Sequence, residues 1–159
     1  MAAPLELRPM RPAEFDEFVD QHVRDRARNS AFALGLQPSH SLTQARDEVS
    51  AMLPDGLATS NHFFYRPVLG SDRLAVGWVW YSLEARGSQM HALLHELRIV
   101  ETHRRMGLGR DVMKLIQDRA RRVGANQIHS MTFTHNLHAR ELLQKAGYHP
   151  VQTLYSRRL

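Results

Sequence analysis

The residues best suited to chemistry lie in the run Arg104-Arg105-Met106-Gly107-Leu108-Gly109-Arg110. Glycine has no Cβ, so a bulky anion can approach the backbone at Gly107 and Gly109. The run opens a segment of helical spacing, and the first turn of a helix carries unpaired N–H groups and partial positive charge. Together these make an anion cradle. Arg104, Arg105 and Arg110 add guanidinium groups able to grip phosphate with paired hydrogen bonds. A Walker loop would end in Gly-Lys-Ser/Thr, which is absent, and the dinucleotide fingerprint would need a small residue where Val112 stands. A plain glycine turn beside solvated arginines is the simpler alternative.

Two further groups of residues invite a role. Asn136 opens Asn136-Leu137-His138-Ala139-Arg140-Glu141-Leu142-Leu143-Gln144-Lys145-Ala146-Gly147-Tyr148, where it can cap a helix or hold a ligand amide. Glu96 lies on a strand-like run, and period-2 alternation sets it opposite Leu97 and Ile99. A carboxylate partly buried beside a cleft can accept a proton through water, which makes Glu96 the first candidate for a general base. A structural ion pair with Arg98 is the equal alternative. Glu84 is a weaker candidate. His95 is another group that could assist proton transfer, but with 10 histidines in the chain no single one is strong evidence. His91 and His95 are four apart without forming His-Glu-x-x-His, so no metal site is expected.

The elements that would position these residues follow from spacing. Leu5 to Arg8 suits a short edge strand. Pro12 suits a first helical turn, and Phe15, Phe18, Val19, His22 and Val23 fall on one helical face. Ser41 and Gln44 suit a capping box for a second helix, which Pro54-Asp55-Gly56 stops. Three strand-like runs follow: His62 to Leu69, Leu74 to Leu83 and Ala92 to Val100. Gly70-Ser71-Asp72 and Arg86-Gly87-Ser88 turn them into hairpins. Pro67 marks its strand as an edge, or as bulged there. Leu108, Val112, Leu115, Ile116, Ala120 and Val123 form an amphipathic stripe that Gly124 ends. Ile128 to Phe133 is strand-like. Asn136 opens a last helix stopped at Gly147, and Tyr148 to Leu159 is strand-like again. The expected order is β, α, α, β, β, β, α, β, α, β, with one right-handed strand–helix–strand crossover. That is a mixed sheet flanked by helices.

Composition fits one domain over residues 1–159. Hydrophobic residues make up 43% and charged residues 23%, which excludes disordered and fibrous classes. With no cysteine, a catalytic thiol, a thiolate metal site and a disulfide framework are all excluded. The net charge of +5 favours an anionic partner. It admits nucleic acid as a weaker reading, without the interleaved basic and aromatic pattern that would support it. No apolar run suits a signal peptide or a bilayer span, so a soluble cytoplasmic protein is expected.

The two loop–helix segments together resemble the GNAT superfamily of acetyl-CoA-dependent N-acetyltransferases. The signature Arg/Gln-x-x-Gly-x-Gly/Ala is matched by Arg104, Gly107 and Gly109. The second signature is matched at Asn136, Ala139, Leu142, Lys145, Gly147 and, conservatively, Tyr148. Leu53-Pro54-Asp55-Gly56-Leu57, Val76-Gly77-Trp78 and Thr132-Phe133-Thr134-His135-Asn136 look like a bacterial subgroup. The resemblance implies an α/β (α+β) fold with a mixed, mostly antiparallel sheet, helices on both faces and a splayed strand pair.

The resemblance also implies a chemistry: transfer of acetyl from acetyl-CoA to a primary amine by direct attack. The acceptor would be a small-molecule or protein amine, and a homodimer would be in keeping with the family. Leu97, Arg98 and Ile99 would hold the pantetheine arm and thioester through their backbone. Arg104, Arg105, Met106, Gly107, Leu108, Gly109 and Arg110 would hold the pyrophosphate. Asn136 and Lys145 would add contacts. Where the family often carries a tyrosine acid this chain has Leu143, leaving Tyr148 and Tyr155 as substitutes. That departure keeps open a non-catalytic CoA-binding module.

Overall fold

The computed structural model describes residues 4–159. Its elements are β1 (Leu5–Pro9), α1 (Pro12–Leu34), α2 (Pro38–Met52), β2 (His62–Leu69), β3 (Leu74–Ala75), β4 (Gly77–Arg86), β5 (Gln89–Ile99), α3 (Leu108–Arg122), β6 (Ala125–Ser130) and α4 (Leu137–Lys145). They fall into two compact units. One comprises residues 4–18 and 53–131; the other comprises Val19–Met52 and Thr132–Leu159.

The first unit holds the whole sheet, ordered β1-β2-β4-β5-β6 with β3 beside β2. All pairings are antiparallel except β5 with β6. Alternation divides the side chains between two faces. On one face Tyr65 stacks on Tyr81, and the Arg119 guanidinium of α3 lies 4.8 Å from the Tyr65 ring. On the other, Phe15 and Phe18 from the first turns of α1 pack edge-on against Phe64 at 4.9 and 5.9 Å, and Phe18 also meets Trp80. Helical segments thus cover both faces, and the core runs through Val76, Val79, Trp80, Val112 and Ile116.

Local chemistry explains the boundaries. Glu14 reaches back to the Arg11 amide at 2.8 Å and pairs with Arg8 at 2.7 Å, fixing the start of α1. The Arg8 guanidinium holds the Glu14 carboxyl down at about 2. Gly87, at φ +62°, turns β4 into β5. Gly77 is required by contact: a Cβ there would sit 2.0 Å from the Arg98 carbonyl oxygen.

Several expectations are corrected. Helix α2 begins at Pro38, so Ser41 is an interior residue with a buried hydroxyl rather than a cap, and no Ser41–Gln44 capping box forms. Proline suits the first helical position and moves the start forward. The run from Leu74 breaks at Val76, whose N–H donates to Pro67 O while its carbonyl accepts from Val100 N–H. Strand β2 is internal, not an edge; its proline sits where pairing passes from β4 to β3. Strand β6 runs Ala125–Ser130, three residues earlier than its apolar run suggests, because pairing with β5 sets its register. Residues 148–159 form no strand; Pro150 supplies no N–H, and Val151, Leu154 and Tyr155 are exposed.

In the second unit, Arg26 pairs with Glu48 at 2.7 Å, joining α1 to α2. His135 Nε2 lies 2.8 Å from Asn29 Oδ1. Arg158 donates to the Gly35 carbonyl at 2.8 Å.

Candidate active site

Two neighbouring strands part company. The parallel pairing of β5 with β6 ends at Leu94–Ser130, and Ser130 Oγ donates to Leu94 O at 3.2 Å. Beyond that point β5 continues through Leu97, Arg98 and Ile99 with β4 on one side. On its other side no strand pairs with residues 97–99 among the described residues. The pairing of β5 with β6 thus stops before residues 97–99.

The arginine–glycine loop starts where β5 ends. A single turn of 3-10 helix, Glu101–His103, leads into Arg104, whose Nε donates to Ile99 O at 3.0 Å. Arg104 thus ties the loop to the strand end, a role that its position in the run does not reveal. Arg105 has φ +62° and Gly107 has φ +80°, so the chain is left-handed twice before α3. Gly107 is the N-cap of α3, and its carbonyl accepts from the amides of Arg110 and Asp111. Leu108 and Gly109 occupy the first turn, where amides have no intrahelical acceptor. A Cβ on Gly107 would meet only Arg110 Nη2, at 4.0 Å, so the space before the cradle is open. Met106 is exposed, and Arg110 lies on the first turn. The loop has the chemistry of a phosphate site.

Glu96 is ion-paired with Arg98 at 3.3 Å, and both side chains are largely covered. Burial lowers the Arg98 pKa, and the neighbouring Arg104 charge adds to the effect. Sequence spacing missed what lies just before Glu96. Trp80 pairs with Glu96 but Tyr81 pairs with Leu94, so His95 is an extra residue in a β-bulge. Its ring stacks on Trp80 at 4.3 Å and on His62 at 5.6 Å. Its Nε2 lies 2.7 Å from Ser82 Oγ, and Trp80 Nε1 donates to His62 Nδ1 at 2.9 Å. Period-2 counting carries no signal for an inserted residue, so neither Ser82 nor the alignment of these rings could be found that way.

The remaining expected site residues belong to the second unit. Asn136 caps α4, its Oδ1 accepting from the Ala139 amide at 3.2 Å. Lys145 pairs with Glu141 at 2.6 Å on an exposed surface. Tyr148 donates its backbone N–H to Leu143 O, closing the end of α4, and Tyr155 is exposed in the tail.

Comparison with known proteins identifies the family and the fold. Residues 22–148 match the acetyltransferase (GNAT) family. The uncharacterized N-acetyltransferase YycN of Bacillus subtilis (strain 168) is 24% identical over 153 residues, covering 96% of this chain and 97% of YycN. YdgE, another uncharacterized N-acetyltransferase of that organism, is 26% identical over 142 residues, covering 89% and 90%. The crystal structure of YycN superposes with a TM-score of 0.91, covering 98% and 99% of the two chains. The aminoglycoside N-acetyltransferase AAC(6')-Iy, solved with CoA, superposes at 0.61 with 14% identity, covering 100% and 97%.

Proposed function

The chain belongs to the GNAT acetyltransferase family, and from that premise we propose that it acetylates a primary amine by direct attack on acetyl-CoA at the opening between β5 and β6. As a member it is an N-acetyltransferase with acetyl-CoA as cosubstrate. The observation that carries the proposed placement is the adjacency of two features. The stretch of β5 beyond its pairing with β6 leads, through one 3-10 turn, into the left-handed loop that caps α3.

Acetyl-CoA supplies the acetyl group as a thioester. In this reading the first-turn amides of Leu108 and Gly109, with Arg105 and Arg110, bind its pyrophosphate. Met106 and Gly107 shape the loop, and Arg104 braces it against Ile99. Main-chain groups of Leu97, Arg98 and Ile99 hydrogen-bond the amide-bearing arm, and a strand N–H faces the carbonyl oxygen as negative charge develops there. Glu96 draws the cationic amine to the same edge.

The family match spans residues of both compact units, which supports one acetyltransferase domain. The Leu53 to Leu57 segment supports placement in a bacterial subgroup. No helix among the described residues is long and apolar enough to cross a membrane, which favours work in the cytoplasm.

Titration calorimetry with acetyl-CoA, followed by thiol-release assays across amine classes, tests this reading. Saturable binding with turnover on one class is the expected result. Stabilisation by CoA without turnover on any amine would favour a binding module, and no binding at millimolar acetyl-CoA would remove the reading.

A further inference from the structure

The sheet face opposite α3 carries two stacked imidazoles whose hydrogen-bond partners differ in kind. His62, on β2, accepts from Trp80 Nε1 through Nδ1. An indole N–H only donates, so Nδ1 is bare and the ring proton sits on Nε2. A proton added at Nδ1 would set N–H against N–H. Burial also lowers the His62 pKa, with Glu84 opposing the shift. His95, in the β5 bulge, faces Ser82 Oγ through Nε2 at 2.7 Å. A hydroxyl donates to a bare nitrogen and, after rotation, accepts from a protonated one. The Nδ1 contact of His62 is therefore satisfied in a single protonation state, and the Nε2 contact of His95 in both.

The surroundings of His95 favour a transient charge. Trp80 lies 4.3 Å beneath it, and an indole face attracts a cation. In the neighbouring ring, His62, burial and the Trp80 N–H both disfavour the charged form, which reduces repulsion. The charged groups on this face include Arg66 on β2, whose guanidinium lies 4.2 Å from the Trp78 ring with Arg8 and Glu14 beside it, Glu84 on β4, and the Glu96–Arg98 pair on β5. The bulge also places His95 immediately before residues 96–99, where β5 has left β6.

We infer that His95 is the proton acceptor in acetyl transfer, and that Ser82 and the neutral His62 position it. This deepens the proposed transferase reading and rests on it. The acceptor's ammonium gives one proton to the His95 ring. The freed nitrogen lone pair forms the C–N bond as the C–S bond breaks. The ring's proton passes to the departing sulfur, leaving a thiol and a neutral imidazole, and the nitrogen's remaining excess proton goes to water. Glu96 then attracts the amine rather than deprotonating it.

Two experiments on the full chain test the assignment. Ring-nitrogen NMR of the wild-type protein, without any amine, follows both histidines from pH 8 to pH 5. The expected result is that His95 titrates while His62 keeps its Nε2–H neutral form, and that Ser82→Ala moves the His95 midpoint. Titration of His62 with His95 static would overturn the assignment. In thiol-release assays with acetyl-CoA and the best amine of a panel, His95→Gln should lower kcat/KM about 100-fold and remove the acid limb of the pH profile. Ser82→Ala should displace that limb, and Ser82→Thr should restore it. A folded His95→Gln enzyme that keeps the limb would remove the histidine and leave the transferase reading intact. Absence of acetyl-CoA binding by the wild-type chain would remove the reading itself.

Discussion

Gly107→Glu separates what the loop does for the fold from what it does for the cofactor. Gly107 has φ +80°, and a Cβ there meets nothing nearer than Arg110 Nη2 at 4.0 Å. The cost to folding is thus left-handed strain alone, about 1–2 kcal/mol. For a chain of this size that lowers Tm by about 2–8 °C. The cost to binding is larger, because the new side chain occupies the space before the first turn of α3 and brings a carboxylate to it. Loss of two charge-assisted hydrogen bonds at about 1.5–3 kcal/mol each amounts to about 3–6 kcal/mol. That corresponds to roughly a hundredfold to ten-thousandfold in Kd. Gly107→Ala carries the same strain without the charge or reach, so its Tm should match and its affinity should fall far less. Calorimetry with acetyl-CoA beside thermal melts of the three proteins gives both quantities. A folded Gly107→Glu protein that binds acetyl-CoA within threefold of wild type would show that the phosphates lie elsewhere.

Other perturbations probe other links. Gly77→Ala drives a Cβ to 2.0 Å from Arg98 O, a backbone atom that cannot step aside. Overpacking of about 3 kcal/mol should lower Tm by about 6–12 °C and weaken acetyl-CoA binding together, read by melts and calorimetry. Glu96→Gln should raise the amine KM about tenfold, or about 1.4 kcal/mol, with the kcat pH profile kept; loss of the acid limb would return the base role to Glu96. Glu14 is held at about 2 by Arg8, below its unfolded value, so its contribution is present above about pH 4.3 and lost as pH falls toward about 2. Glu14→Gln should therefore cost about 3 kcal/mol in urea unfolding at pH 7 and almost nothing near pH 2.

Much of this architecture is legible in the sequence because local rules and tertiary demands coincide. The stripe from Leu108 to Ala120, bounded by Gly107 and Gly124, gives α3 because the apolar spacing and both terminal glycines agree. Gly87 at a two-residue turn gives the β4–β5 hairpin for the same reason. Legibility fails where a neighbour sets the outcome. The β6 boundaries follow pairing with β5 rather than the apolar run near Phe133. The His95 bulge arises between two strands and leaves no mark on either alone. In the site, the arginines and glycines declare an anion cradle by type, but the turn of Arg104 onto Ile99 O depends on where β5 ends. The hydroxyl of Ser82 has no motif at all; only its 2.7 Å approach to an imidazole distinguishes it from other strand serines.

The pairing of β5 with β6 ends at Leu94, and the proposed reading sets the cofactor's amide-bearing arm along β5 beyond that point. A chain of alternating amide donors and acceptors lying there would complete the sheet, reading peptide groups rather than side chains. Identity at positions 97–99 would then answer to packing against β4, and saturation mutagenesis there should tolerate shape-preserving exchanges while rejecting proline, the one residue that deletes a donor from the wall.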